Sequence, residues 1–383
     1  MRFELTPTAL HNALPIRWGK TAATLPITTQ EEVHSGSIKQ LGDMFEDGEL
    51  DAINVYDTKW GAPLHKKIQE ASYPLRSILA ADSTLTRGRL AYWELYSEVL
   101  IDSLSERLSS RAEALRRYGK AEPLSIELRS LHLGDDDSPE VLDRILDKIR
   151  TGVPAAVDLN WRAVGASARG ENWLNMEPRM TISTMKTLRN YIMINLNSMD
   201  IYIDNSRGDN KTISVVFSLL NLSCGGYAMI YLPKIAHASL AAAIHVFRYC
   251  FEKSYLIHLV ADDRVYLCGE GFLGNLTPAE QKTLFEFCEI SVDAPNAMPF
   301  TGTYVANDKD FNETMSILIH TNNEIHYWRY SYYKNFLSVK NHLMKKNSAR
   351  VFVDYADEYL AKKMKDKSTK WALRVSFPWY KTH

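Results

Sequence analysis

Cysteine is scarce in this chain. There are four, Cys224, Cys250, Cys268 and Cys288, each more than 15 residues from the next. That spacing, inside apolar runs, excludes a disulfide framework and a CxxC metal knuckle, and the four read as buried thiols. Long hydrophobic runs are missing too: no stretch reaches the roughly 18 uninterrupted apolar residues that read as a membrane span. The start, Met1-Arg-Phe-Glu4, lacks the basic region and apolar run of a secretory signal, so a soluble, cytoplasmic protein is expected. No Walker loop, HExxH, GxSxG, GxGxxG or paired Cys/His ligand set occurs, and no metal is expected. His132, His237, His245 and His258 stand alone, as structural histidines do.

Net charge is almost absent, at -1 over 383 residues, but the balance hides an asymmetry. Residues 321 to 383 hold 13 Lys or Arg against 5 Asp or Glu, so the tail is basic and the remainder acidic. A hydrophobic fraction of 45% is enough for at least one large core. Three regions are expected: an irregular segment over 1–75, an α/β domain with its leading helices over 76–295, and a basic, aromatic helical extension over 296–383.

Between Tyr73 and Tyr118 the apolar residues Leu90, Trp93, Leu95, Tyr96, Leu100, Leu104 and Leu108 recur at three- and four-residue steps, predicting one or two amphipathic helices. Beyond Pro123 short apolar strands alternate with helical stretches, the pattern of βαβ units. Strands are expected at Ser125–Leu133, Ala155–Leu159, Met199–Asp204, Tyr227–Leu232 and Tyr255–Val260, with Arg264–Gly269 closing an antiparallel pair. Helices are expected at Glu140–Arg150, Ser183–Ile194, Ile213–Leu222 and Ser239–Glu252. Thr277-Pro-Ala-Glu280 opens another, supplying an N-cap, a first-turn proline and a glutamate at the third helical position. The fold class is therefore α/β, Rossmann-like and mostly parallel with an antiparallel last strand, flanked by helical N- and C-terminal extensions.

The turn Leu131-His-Leu-Gly-Asp-Asp-Asp-Ser-Pro139 lies where such a domain places its cofactor loop, making Leu133, Gly134 and Asp135 candidate cofactor residues. Three consecutive aspartates would repel a pyrophosphate but tolerate the cationic groups of S-adenosylmethionine. They serve equally to cap the following helix. Asp158 is read as closing the second strand, where a carboxylate meets ribose hydroxyls, or as a turn residue. Asp204 ends the third strand at the edge where ligands collect.

The order of Asp204, helix, Leu222-Ser-Cys-Gly-Gly-Tyr-Ala-Met-Ile-Tyr231, helix, Tyr255-Leu-Ile-His-Leu-Val260 and Arg264-Val-Tyr-Leu-Cys-Gly269 resembles the C-terminal half of the FtsJ-like RNA ribose 2′-O-methyltransferases, viral mRNA cap enzymes among them. The resemblance covers about 150 residues and implies S-adenosylmethionine as cofactor and RNA as partner. It also implies a Lys, Asp, Lys, Glu tetrad in which a lysine takes the ribose proton. The aspartate falls on Asp204. The second lysine falls on Tyr231, with Lys234 nearby, and the glutamate falls on Arg264, close to Asp262 and Asp263. The first lysine falls on Ala91 or Trp93. A guanidinium is no base at neutral pH, and a tyrosine replaces a lysine only after a large pKa shift.

The resemblance thus implies a degenerate tetrad and a non-catalytic RNA-binding or scaffolding subunit of a capping or replication complex, bound to a protein partner. The alternative is an active S-adenosylmethionine-dependent enzyme using Asp204, Tyr231, Lys234 and Arg264. The basic tail supports an RNA partner through Arg329, Lys334, Lys362, Lys363 and Lys365, beside aromatics suited to stacking. Those aromatics suit packing of a helix onto a core equally well.

Overall fold

The computed structural model describes residues 1–5, 73–117, 124–134, 137–152, 157–166, 185–206, 211–233, 238–293, 311–325, 328 and 361–378. The chain divides into two compact units. The first comprises Met1–Thr28, Tyr92–Leu259 and Asp263–Leu318, and the second comprises Thr29–Ala91, Val260–Asp262 and Ile319–His383.

The first unit is built on a seven-stranded sheet. Its strands are β1 (Arg2–Glu4), β2 (Leu124–Leu133), β3 (Val157–Ala166), β4 (Met199–Asp204), β5 (Leu222–Leu232), β6 (Phe251–His258) and β7 (Val265–Phe272). They lie in the order β1-β6-β7-β5-β4-β2-β3. Pairs β2–β3, β2–β4 and β4–β5 are parallel, whereas β5–β7, β6–β7 and β1–β6 are antiparallel. The sheet is therefore mixed, which corrects the expectation of mostly parallel pairing. The last strand is antiparallel as expected, but it is inserted between β5 and β6, so it contributes two antiparallel ladders, and the short β1 adds a third.

The helices are α1 (Arg76–Ala81), α2 (Arg87–Val99), α3 (Ile101–Arg117), α4 (Asp137–Gly152), α5 (Met185–Ile194), α6 (Lys211–Asn221), α7 (Ala238–Arg248) and α8 (Pro278–Asp293). Residues 311–325 form α9, and Ala361–Arg374 form α10. After β2 the chain moves outward to β3, and after β4 it moves the other way to β5. Right-handed crossovers in opposite senses put α4 and α6 on opposite faces. In keeping with this, α4 packs on α3, while α6 packs on α5, α7 and α8.

Every residue of α6 is buried, among them Val215, Val216, Phe217, Leu219 and Leu220. Each such side chain contributes about 1.5–3 kcal/mol of burial. At the start of β5, Arg107 of α3 donates to the carbonyls of Gly225 and Cys224. The backbone of Gly225, at φ +77°, brings its carbonyl into that fork, and a Cβ there would lie 2.7 Å from the guanidinium carbon. The strand begins at Leu222, five residues before the expected start, because Leu222 already pairs with Met199 of β4.

Two further expectations need correction. Strand β3 runs from Val157 to Ala166, not Ala155 to Leu159, because Leu159, Trp161 and Ala163 alternate with exposed Asp158, Asn160 and Arg162. The helix expected to reach Glu252 ends at Arg248, since Phe251 already pairs with Phe272 in the β6–β7 ladder.

In the second unit, α1 packs on α10. Ser368 Oγ donates to the carbonyl of Pro74 at 2.9 Å, and Tyr73 Oη donates to the carbonyl of Ala261 at 2.6 Å. Trp371, Ala372 and Val375 form the buried side of α10 and its end.

Candidate functional site

The crevice of an open α/β sheet forms where successive connections diverge, at the carboxyl ends of the strands. Here that point lies between β2 and β4, where Leu133 stands opposite Asp204. The ladder continues one step further, with Asn205 N donating to the Leu133 carbonyl at 2.8 Å. Gly134, at φ +86°, permits this: a Cβ on it would lie 2.6 Å from both N and Cα of Ser206. A glycine in a cofactor loop suits the close approach of a ligand. What approaches it is the chain's own backbone.

Asp204 is buried, and its Oδ1 accepts two bonds, from Ser206 N at 2.8 Å and from Lys211 Nζ at 3.4 Å. Lys211 is the first residue of α6, and its side chain is 2% exposed. Its ammonium also donates to the Ser206 carbonyl at 2.5 Å and to Ser206 Oγ at 3.0 Å. Three partners occupy the three donors an ammonium has. Burial pulls the Lys211 pKa down, while the charge of Asp204 and the hydrogen bond to it pull it back up.

Tyr231, one residue from the end of β5, is half-buried and lies between two cations. Its ring centroid is 5.7 Å from Lys211 Nζ and 5.7 Å from the guanidinium carbon of Arg264. Arg264 precedes β7, and its Nη1 donates to Asn205 Oδ1 at 2.9 Å. Tyr266 Oη donates to the same oxygen at 2.8 Å. Tyr231 and Tyr266 are register partners across β5 and β7, their rings tilted at 5.8 Å. The rim is thus a closed set of mutually satisfied groups: Asp204 with Lys211 and Ser206, and Asn205 with Arg264 and Tyr266.

Beneath the β2–α4 turn lies a second polar array. Buried His132 joins Ser130 Oγ through Nε2 at 2.8 Å and Ser138 Oγ through Nδ1 at 2.6 Å. Trp161 Nε1 donates to Ser130 Oγ, and Tyr96 Oη meets Ser138 Oγ at 2.5 Å. Burial lowers the His132 pKa to about 3, so the ring is neutral. The array locks the loop's first residues to α2, α4 and β3.

Of the residues singled out from sequence, Leu133, Gly134, Asp204, Tyr231 and Arg264 meet at this rim. Asp158 does not. It is the second residue of β3, exposed and opposite Ser125, eight residues upstream of Ala166 at the far end of the strand. At about 3.3 Å per residue it lies about 26 Å from the carboxyl edge. Asp263 adopts a left-handed conformation, φ +61°, and its Oδ1 lies 2.6 Å from His258 Nε2. Trp93, expected near the first tetrad lysine, is buried under Lys148 of α4, whose ammonium is 4.5 Å from the ring centroid. Lys234, Asp135, Arg329 and Lys334 lie outside the described residues, as do the side chains of Lys362 and Lys363 on α10. Lys365 is exposed on α10.

Sequence reading missed Lys211, Asn205 and Tyr266. The signal for Lys211 was present: a cation at the first position of a helix opposes the macrodipole, so another group must hold it. Among the described residues no cluster of three or more His, Cys, Asp or Glu is placed to hold a metal, and no helix is long and apolar enough to cross a membrane. No family model matches this sequence, and no curated protein is similar enough to count as a match.

Proposed function

We propose that the first unit is a methyltransferase-like α/β module that has given up methyl transfer. It acts as an RNA-binding or scaffolding subunit of a larger assembly such as a capping or replication complex. The observation that carries this reading is the saturation of Lys211. A general base must present a lone pair to the substrate. The only described lysine beside Asp204 has all three donors engaged and 2% of its side chain exposed.

The neighbouring positions support the same reading. Tyr231 and Arg264 stand where the resemblance implies a lysine and a glutamate, and Arg264 is committed to Asn205. Support for the methyltransferase kinship itself is the reversed strand β7 between β5 and β6, with Asp204 at the divergence of β2 and β4.

An active S-adenosylmethionine-dependent RNA 2′-O-methyltransferase is the alternative, and one observation favours it: the pKa of Lys211 is pulled down by burial, as a lysine base requires. Isothermal titration of the full chain with S-adenosylmethionine and S-adenosylhomocysteine separates the two. No heat is expected from either, and no methyl transfer to capped or uncapped RNA. Saturable heat together with methyl transfer to the RNA would establish the enzyme instead.

A further inference from the structure

Helix α10 reads Ala-Lys-Lys-Met-Lys-Asp-Lys-Ser-Thr-Lys-Trp-Ala-Leu-Arg, six basic residues against one acidic. Its buried side is fixed: Ser368 bonds the Pro74 carbonyl, and Trp371 and Ala372 are 4% and 0% exposed. The helical period therefore decides which cations face water. Lys367, Lys370 and Arg374 follow one another at three and four residues, and all three are exposed. They form a row along about 10 Å of helix axis. Lys365 adds a fourth exposed cation at the flank, with Asp366 the sole carboxylate.

We infer that this row is a contact surface for the phosphodiester backbone of single-stranded RNA. A row of cations on a helix held from behind matches a polymer carrying one anion per unit, and each cation it meets releases a condensed counterion. A lipid surface fits less well. A helix that lies on a membrane needs an apolar face to insert, and among the described side chains of α10 the apolar Trp371 and Ala372 are buried, with Leu373 alone exposed. The choice of RNA as the polyanion rests on the function proposed above, but the contact with phosphates does not.

The test uses the full chain and a fluorescent 20-nucleotide oligouridylate, with anisotropy read at several salt concentrations. Lys367→Glu/Lys370→Glu/Arg374→Glu is compared with Arg111→Glu/Arg117→Glu/Lys282→Glu, which reverses three exposed cations of the first unit for the same change of net charge. The α10 variant is expected to bind at least tenfold more weakly, and its salt slope to fall by about 2, or about 0.7 for each lost contact. The control is expected to bind within about threefold of the parent, and Lys367→Arg/Lys370→Arg/Arg374→Lys to bind like the parent. Equal losses in both charge-reversed variants, or none in the α10 variant, would overturn the assignment. So would loss of binding to phosphatidylserine vesicles with RNA binding intact. No cofactor is present in this assay, so it fails or succeeds separately from the titration with S-adenosylmethionine.

Discussion

Lys211 and Asp204 neutralise each other at the buried rim of the sheet, 3.4 Å apart, and neither is more than 3% exposed. Removing one partner strands the other charge without solvent, which costs about 3–5 kcal/mol. Lys211→Met is expected to lose stability in that range in urea denaturation at pH 7. The double variant Asp204→Asn/Lys211→Met is expected to recover more than half of the loss. A single-variant loss under about 1 kcal/mol would contradict a structural role for the pair.

Gly134→Ala tests the closed rim from the other side. Its Cβ would meet the Ser206 backbone at 2.6 Å, and φ is +86°. Left-handed strain alone costs about 1–3 kcal/mol, and the collision must displace the 205–206 backbone. A loss of at least about 2 kcal/mol is expected, with the Asn205 amide exchanging faster by NMR. Unchanged stability would mean that β2 and β4 are not joined beyond Leu133.

Acid should weaken the first unit through His132. Burial pushes its folded pKa down to about 3, from the ordinary histidine value of 6.5, so below pH 6.5 the unfolded chain binds a proton that the folded one refuses. The stability is fully present above pH 6.5 and is lost as pH falls toward 3, by about 1.4 kcal/mol per unit. Urea titrations at pH 7, 6, 5 and 4 should show this slope beyond that of carboxylates, and His132→Gln should lack it. Equal slopes in the two proteins would exclude His132 as the source.

Thr314 of α9 accepts from Arg248 Nη1 at 2.7 Å and meets His245 Nδ1 at 2.9 Å. Arg248 is fully buried, with Nη2 reaching Glu313 at 3.2 Å. Thr314→Val keeps the shape and removes the oxygen, so a buried cation loses a partner. A cost of about 2–3 kcal/mol is expected from thermal or urea unfolding. Thr314→Ser, which restores the hydroxyl, is expected to stay within about 1 kcal/mol of the parent.

Much of the sheet was legible because its strands carry apolar residues either in a short run, as in Tyr227–Leu232, or at every second position, as Ile126 and Leu128 do in β2. Met199–Asp204 was delimited to the residue, and β2 to within one. The edge strand β3 was cut short because the polar Asn160 and Arg162 follow directly on the short apolar stretch that ends at Leu159, and Asp158 was then assigned to the wrong end. The beginning of β5 depends on the pairing of Leu222 with Met199 on the far side of α6, a partnership that the turn-like Ser223-Cys-Gly-Gly226 does not announce. Within the rim, Asp204 could be found because it ends a strand. The partnership with Lys211 depends on how the chain turns after Asp204, where the polar stretch from Asn205 to Asn210 has no period to read.

Helix α6, which begins with Lys211, has no side facing solvent. Its amide protons can reach deuterium only when the surrounding layers separate, which places them among the slowest to exchange in the molecule. Any new charge along its eleven positions would find no hydration. A random mutagenesis map should therefore show this stretch as among the least permissive of the described residues, whatever ligand the protein carries.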